Sequence, residues 1–136
     1  MYLLDTDYVM SLVRGDRRAI NLAKRIEEEL AYRAIFIVTV HESLLGVHLS
    51  YWRNKKKLEE MLERAESELM RFDIIPYDYK IARKTAEIMA YLRREGEILG
   101  LADVIIAATA LVNELKLVTR NTEHFSRVLN LKIITY

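Results

Sequence analysis

The chain has no cysteine, no glutamine, a single proline and four glycines in 136 residues. Without cysteine there is no disulfide, no thiolate-ligated zinc, no iron–sulfur cluster and no thiol nucleophile. The glycines, at positions 15, 46, 96 and 100, compose no phosphate-cradling loop, so the dinucleotide-binding and P-loop classes fall away. No serine sits in a nucleophile-elbow pattern. Long apolar runs are missing too: inside the most apolar segment the longest unbroken stretch is Val104 to Ala108, against the roughly 18 residues that mark a membrane span. Neither sign of charge prevails, since 21 basic and 20 acidic residues leave +1. The molecule as a whole therefore has no field to draw in nucleic acid, and any such affinity has to be local. Met1 leads straight into a strand-like run with no charged leader or cleavage site, so a soluble, cytoplasmic protein is expected.

What is present is a 51% hydrophobic chain of a length that suits one domain, residues 1–136, with a real core. Gly100-Leu-Ala-Asp103-Val-Ile-Ile-Ala-Ala-Thr-Ala-Leu-Val112 reads as a helix apolar on every side, which places it inside a packed domain. Short apolar or β-branched runs read as strands at Tyr2 to Asp5, Ala34 to Val38, Phe72 to Pro76, Leu115 to Thr119 and Leu131 to Thr135. Pro76 keeps the third from continuing as an inner ladder strand. Helical spacing fills the gaps: a segment from Asp7 to Val13, then Asp16 to about Tyr32 with Ala19, Ile20, Ala23, Ile26 and Leu30 on one stripe. Thr39 is read as the cap of the next helix, which holds Glu42. Asn54 to Met70 carries an apolar stripe from Leu58 to Leu69, and Asp78 caps a helix with Ile81, Ala82, Thr85, Ala86, Met89 and Leu92 facing inward. Strands alternating with helices predict an α/β fold, a three-layer α/β/α sandwich on a mainly parallel sheet.

In such a sheet ligands bind beyond the carboxyl ends of the strands, and that is where the acids fall. Asp5 ends the first strand, Glu42 follows the second, Asp103 heads the apolar helix, and Asn121 with Glu123 follows the fourth strand. Each has an ordinary explanation when read singly: Asp5 and Asn121 as helix caps, Glu42 as a solvated helix residue, Asp103 and Glu123 as complements to helix N-termini. Together they offer the oxygen shell that a hard cation such as Mg²⁺ or Mn²⁺ takes. Crowded carboxylates otherwise repel and take up protons. His41-Glu42 is not a zinc-protease helix, because Leu45 stands where a second histidine is needed.

The segments Leu3-Leu-Asp5-Thr6, Val40-His-Glu42-Ser-Leu-Leu-Gly46-Val47, Gly100-Leu-Ala-Asp103-Val-Ile-Ile-Ala-Ala-Thr-Ala110 and Leu117-Val-Thr-Arg-Asn121-Thr-Glu-His-Phe125 resemble, in order, the four motifs of the PIN domain. The resemblance spans essentially the whole chain, and VapC-type toxins of prokaryotic toxin–antitoxin pairs are the best match. It implies a metal-dependent ribonuclease in which Asp5 and Asp103 are the principal ligands of Mg²⁺ or Mn²⁺ and Glu42 is the third acid. Asn121 matches a fourth position that is often Asp in the family; an amide there binds a cation less strongly and cannot act as a base. The resemblance also implies an RNA substrate, a small antitoxin partner and a homodimer. The stripe between Leu58 and Leu69 is a candidate dimer surface, although core packing accounts for it equally well. Thr6 and Thr119 are placed to hydrogen-bond the carboxylates. Arg14, Arg17, Arg18 and the cluster Arg53 to Lys57 are placed to follow a phosphate backbone. Two other readings stand beside this one: a receiver-like signalling domain with Mg²⁺ beside a phosphorylated Asp, and a scaffold whose chemistry Asn121 has weakened.

Overall fold

A computed structural model describes residues 1–136. Its sheet is laid down by the two-residue period of short buried strands. In β1 (Tyr2–Leu4), Leu3 faces one layer while Tyr2 and Leu4 face the other. β2 (Arg33–Phe36) and β3 (Asp73–Ile75) extend the sheet on one side of β1. β4 (Lys116–Val118) and β5 (Ile133–Ile134) extend it on the other, giving the order β3-β2-β1-β4-β5 with every pairing parallel. The expected mainly parallel sheet is thus wholly parallel.

Parallel neighbours need crossovers, and helices supply them. α1 (Thr6–Val13) and α2 (Arg17–Glu28) join β1 to β2, and α3 (Ile37–Tyr51) and α4 (Lys55–Leu69) join β2 to β3. α5 (Tyr79–Arg94) and α6 (Leu101–Val112) return to β4, and α7 (Thr122–Phe125) leads toward β5. Tyr8, Val9, Ala19, Leu22, Ile26 and Leu69, from α1, α2 and α4, pack with Tyr2, Leu4, Ile35 and Val118 on one face. Residues of α5, α6 and α7 pack with Leu3, Ala34, Phe36 and Leu117 on the other. This is the three-layer α/β/α sandwich. The first two crossovers step one way from β1 and the third steps back past it, so the chain reverses direction between β1 and β4.

α6 packs closely because it is built from small residues: Ala107, Ala108 and Ala110 are completely buried. A leucine at Ala107 has no room and would cost about 1–3 kcal/mol in overpacking. The helix is nevertheless not buried all round. Leu101 is 58% exposed and Ala102 is exposed, while Ile105, Leu111 and Val112 are half-buried. Its first turn stands at the carboxyl edge of the sheet, since α6 runs back against β4.

Several boundaries depart from expectation. β2 stops at Phe36, and Ile37 and Val38 already belong to α3, so Thr39 is a buried first-turn residue and Phe36 occupies the cap position without a side-chain bond. β4 and β5 are likewise shorter than predicted. α2 ends at Glu28, and Leu30, placed in its apolar stripe by spacing, lies past the helix with φ +49° and 93% exposed. On α5, Ile81, Thr85 and Leu92 are buried as expected, but Ile88 is buried in place of Ala86, which is exposed. Asp78 caps as predicted, accepting from Ile81 N at 2.9 Å, and Asp16, expected to open the second helix, stands as its cap, accepting from Ala19 N at 3.1 Å. The stripe of α4 packs along α3, burying Ala65 and Leu69 and half-burying Leu58, Met61 and Leu62. Packing within the chain therefore accounts for much of that stripe.

Candidate active site

The reversal between β1 and β4 opens a crevice at the carboxyl edge, the place where open α/β sheets bind ligands. Asp5 stands at its floor. Its N–H still continues the ladder, donating to Val118 O at 3.1 Å, while its side chain caps α1. Oδ1 accepts from Thr6 N and Oδ2 accepts from Thr119 Oγ1, both at 2.8 Å. Two adjacent strand ends thus fix both oxygens of a carboxylate that is only 7% exposed. Burial pushes this carboxyl up to about 6; the bonds from Thr119 and Thr6 oppose the shift, and the charges of Asp7 and Asp103 add to it.

Asp103 sits half-buried in the first turn of α6, where the helix dipole favours an anion. The first turn of α6 and the end of β1 lie at the same carboxyl edge of the sheet, and the charge of Asp103 adds to the upward push on Asp5. On its far side, His124 Nδ1 lies 3.7 Å from Asp103 Oδ2, an ion pair when the imidazole is protonated. The same nitrogen lies 2.8 Å from Asn121 Nδ2. Asn121 in turn donates its backbone N–H to Thr119 Oγ1 at 3.0 Å. Hydrogen bonds therefore link Asp5, Thr119 and Asn121, and His124 stands between Asn121 and Asp103, its Nδ1 accepting from the amide when neutral or facing the Asp103 carboxylate when protonated. Asn121 holds the cap position of α7 but makes no capping bond with its side chain, so the cap explanation fails for it.

Glu42 reaches the crevice by a separate route. It is exposed on α3, and its Oε1 lies 3.2 Å from Thr6 Oγ1, which lies 3.2 Å from Thr39 Oγ1 as well. Thr6 has one hydroxyl proton; given to the carboxylate, it leaves Thr39 to donate to Thr6. Both threonines singled out from sequence, Thr6 and Thr119, thus hold carboxylates. Glu123 is exposed and takes no part; its carbonyl accepts from Ser126 Oγ at 2.9 Å. The acids are neighbours along the edge and not a closed triad, for no three Asp, Glu or His side chains cluster at the spacing of a metal cage. His124 and Thr39 were not singled out from sequence as site residues. His124 had a signal, three residues after Asn121 in a helical turn, where side chains meet. A cavity of about 240 Å³ among α1, α2 and α4 contains none of these acids, and of its charged lining Arg33, Glu27, Arg71 and Glu68 pair with one another while Lys24 does not.

A family model described as PIN domain matches residues 2–130. The chain belongs to the PIN-domain family. Among its PIN relatives are Ribonuclease VapC2 of Haemophilus influenzae, 30% identical over 133 residues covering 96% of this chain and 94% of the relative, and Toxin FitB of Neisseria gonorrhoeae, 36% identical over 129 residues covering 92% and 91%. The crystal structure of VapBC2 from Rickettsia felis, bound to a DNA fragment from its promoter, contains a chain that superposes with a TM-score of 0.85 at 26% identity, covering 99% of this chain and 98% of that one. The receiver-like alternative is set aside, because the PIN match takes in nearly the whole chain. Arg120, where a receiver would want a late-strand lysine, pairs with Asp16 instead of the crevice acids.

Proposed function

We propose that this PIN-domain chain, a single domain over residues 1–136, is a divalent-metal-dependent endoribonuclease and the toxin of a toxin–antitoxin pair. The observation that carries the reading is Asp5: a buried carboxylate at the reversal of the sheet, fixed by Thr119 and Thr6 and raised by burial and by its acidic neighbours. Such a group gains from a cation brought beside it, and the hard oxygens of Asp5, Asp103 and Glu42 are the donor set that Mg²⁺ or Mn²⁺ takes. In this reading Asp5 and Asp103 hold the ion and Glu42 completes the acidic set. A bound divalent ion supplies charge neutralisation on a phosphodiester and a more acidic water.

The chain's own groups do the rest. Thr119 and the Thr6 N–H keep the Asp5 oxygens aimed into the crevice. Glu42, free to turn on an exposed helix, orients the attacking water. Asn121 and His124 steady the Asp103 side of the site, and the neutral amide of Asn121 makes a second ion site weaker than an aspartate would. RNA is the substrate proposed from the names of the relatives, and a small antitoxin is the partner proposed from solved relatives such as VapBC2. A homodimer and a cytoplasmic location complete the proposal; no helix is long and apolar enough to cross a membrane.

The test is cleavage of a defined RNA with and without Mn²⁺ by wild type, Asp5→Asn and Asp103→Asn. Losing a ligand carboxylate removes several kcal/mol of transition-state stabilisation, so each substitution is expected to lower kcat/KM about a thousandfold. Metal-dependent cleavage that survives both substitutions overturns the site. A wild type that cuts no RNA when free of any antitoxin favours the scaffold reading.

A further inference from the structure

Beside the crevice, on the β4–β5 side, the same sheet edge carries a second constellation that the acids do not use. Arg120, between Thr119 and Asn121 in sequence, lays its guanidinium 4.5 Å above the ring of Tyr136. Its Nη2 donates to Asp16 Oδ2 at 2.6 Å. Tyr136 is fixed in its turn, edge-on to Tyr8 at 4.8 Å between centroids and with its hydroxyl 3.0 Å from Ser11 Oγ. Arg120, Tyr136 and Asp16 line an open depression of about 690 Å³ with Arg17, Arg18 and Thr135. Three arginines outnumber Asp16 in its lining, and with the nearby Asp7 counted the patch stays net positive, next to a crevice whose acids repel a phosphate chain.

An exposed ion pair does little for stability, because solvent screens it. What the arrangement does achieve is orientation. A guanidinium backed by an aromatic ring and pinned at one edge keeps its plane, and the Arg120 side chain is still 43% exposed. Its uncovered face is a flat, cationic surface, ordered before any ligand arrives. Flat cationic or aromatic platforms along a positive groove are how proteins hold single-stranded nucleic acid, since every base has a face to stack.

We propose that Arg120, laid on Tyr136 and pinned by Asp16, is a stacking platform for a base of the single-stranded RNA substrate flanking the cleaved phosphate, with Arg17 and Arg18 meeting the adjoining phosphates. This rests on the ribonuclease reading and adds a subsite to it. Arg120 is a positioning residue: it holds the strand so that one phosphodiester lies over the acids, and it touches no reacting atom.

The experiment measures fluorescence anisotropy of a labelled ten-residue oligoadenylate and of an abasic ribose-phosphate ten-mer of equal charge, both in EDTA. Wild type is expected to bind the base-bearing probe about tenfold more tightly. Arg120→Lys keeps the charge and loses the plane, so it should bring that ratio close to one while changing abasic affinity less than about twofold. Asp16→Asn keeps a good helix cap and releases the guanidinium, so it should give an intermediate ratio. An unchanged ratio in Arg120→Lys, a wild type without preference, or a wild type that binds neither probe overturns the platform. Cleavage with Mn²⁺ on the same preparations separates the two ideas. Wild type that discriminates bases but never cuts removes the nuclease and keeps the platform; Arg120→Lys that cuts with the wild-type KM and ratio removes the platform and keeps the nuclease.

Discussion

Asp5 and Glu42 follow adjacent parallel strands, yet the fold treats them in opposite ways. Asp5 is the residue directly after its strand, with both oxygens hydrogen-bonded and almost no exposure. Glu42 lies two turns into an exposed helix face, with one 3.2 Å contact to Thr6. A strand end placed between two neighbours fixes a side chain; a helix surface leaves it rotatable. In the reading proposed above, the difference separates a group that would stay still to hold an ion from one that would follow a water.

Substitutions can break this contrast. Glu42→Gln is expected to lower kcat about a hundredfold, the usual scale for a group that handles the attacking water, with Mn²⁺ affinity weakened less than in Asp5→Asn. A loss as deep as that of Asp5→Asn, together with lost Mn²⁺ binding, would put Glu42 on the same footing as Asp5. Thr119→Val removes the bond to Asp5 Oδ2 while preserving shape, and should weaken Mn²⁺ affinity about ten- to a hundredfold by calorimetry. Thr39→Val, on the Glu42 side, should leave that affinity within a few-fold of wild type. Equal effects would show that the two sides are held alike.

The smallest effect is on stability. The folded Asp5 carboxyl titrates near 6, above the unfolded value of 3.8, so the folded protein holds its proton more tightly. Its contribution is greatest below pH 4 and is lost as pH rises through 6. Metal-free Asp5→Asn should therefore be about 1–2 kcal/mol more stable than wild type at pH 7, after allowance for an imperfect amide fit, and about 1 kcal/mol less stable at pH 4, where that misfit is hardly offset. Urea unfolding at the two pH values measures this. A variant less stable than wild type at pH 7 would mean that burial does not strain the carboxylate.

Much of this was legible in the chain itself. The alternation of strands and helices, the caps at Asp16 and Asp78, and the placing of Asp5 and Asp103 at one edge follow from local pattern and the rules of parallel sheets. The end of β2 was not legible, because Ile37 and Val38 have the branched side chains of a strand and only the turn of the backbone makes them helical. The exposure of Leu101 and Ala102 was hidden for a related reason: apolarity says that a helix is buried, not how far its first turn overhangs the sheet. The pairing of His124 with Asp103 joins residues from separate elements, and no local period reports such a meeting.

Thr119 and Asp5 are separated by 114 positions, and the hydrogen bond between them needs β4 already seated against β1. A chain still being synthesised therefore lacks the full seat of Asp5 until the segment through residue 119 has emerged and docked. Contacts of such long sequence separation form late and slowly. For the ribonuclease proposed above, the order of the strands keeps the seat of Asp5 incomplete until late in synthesis.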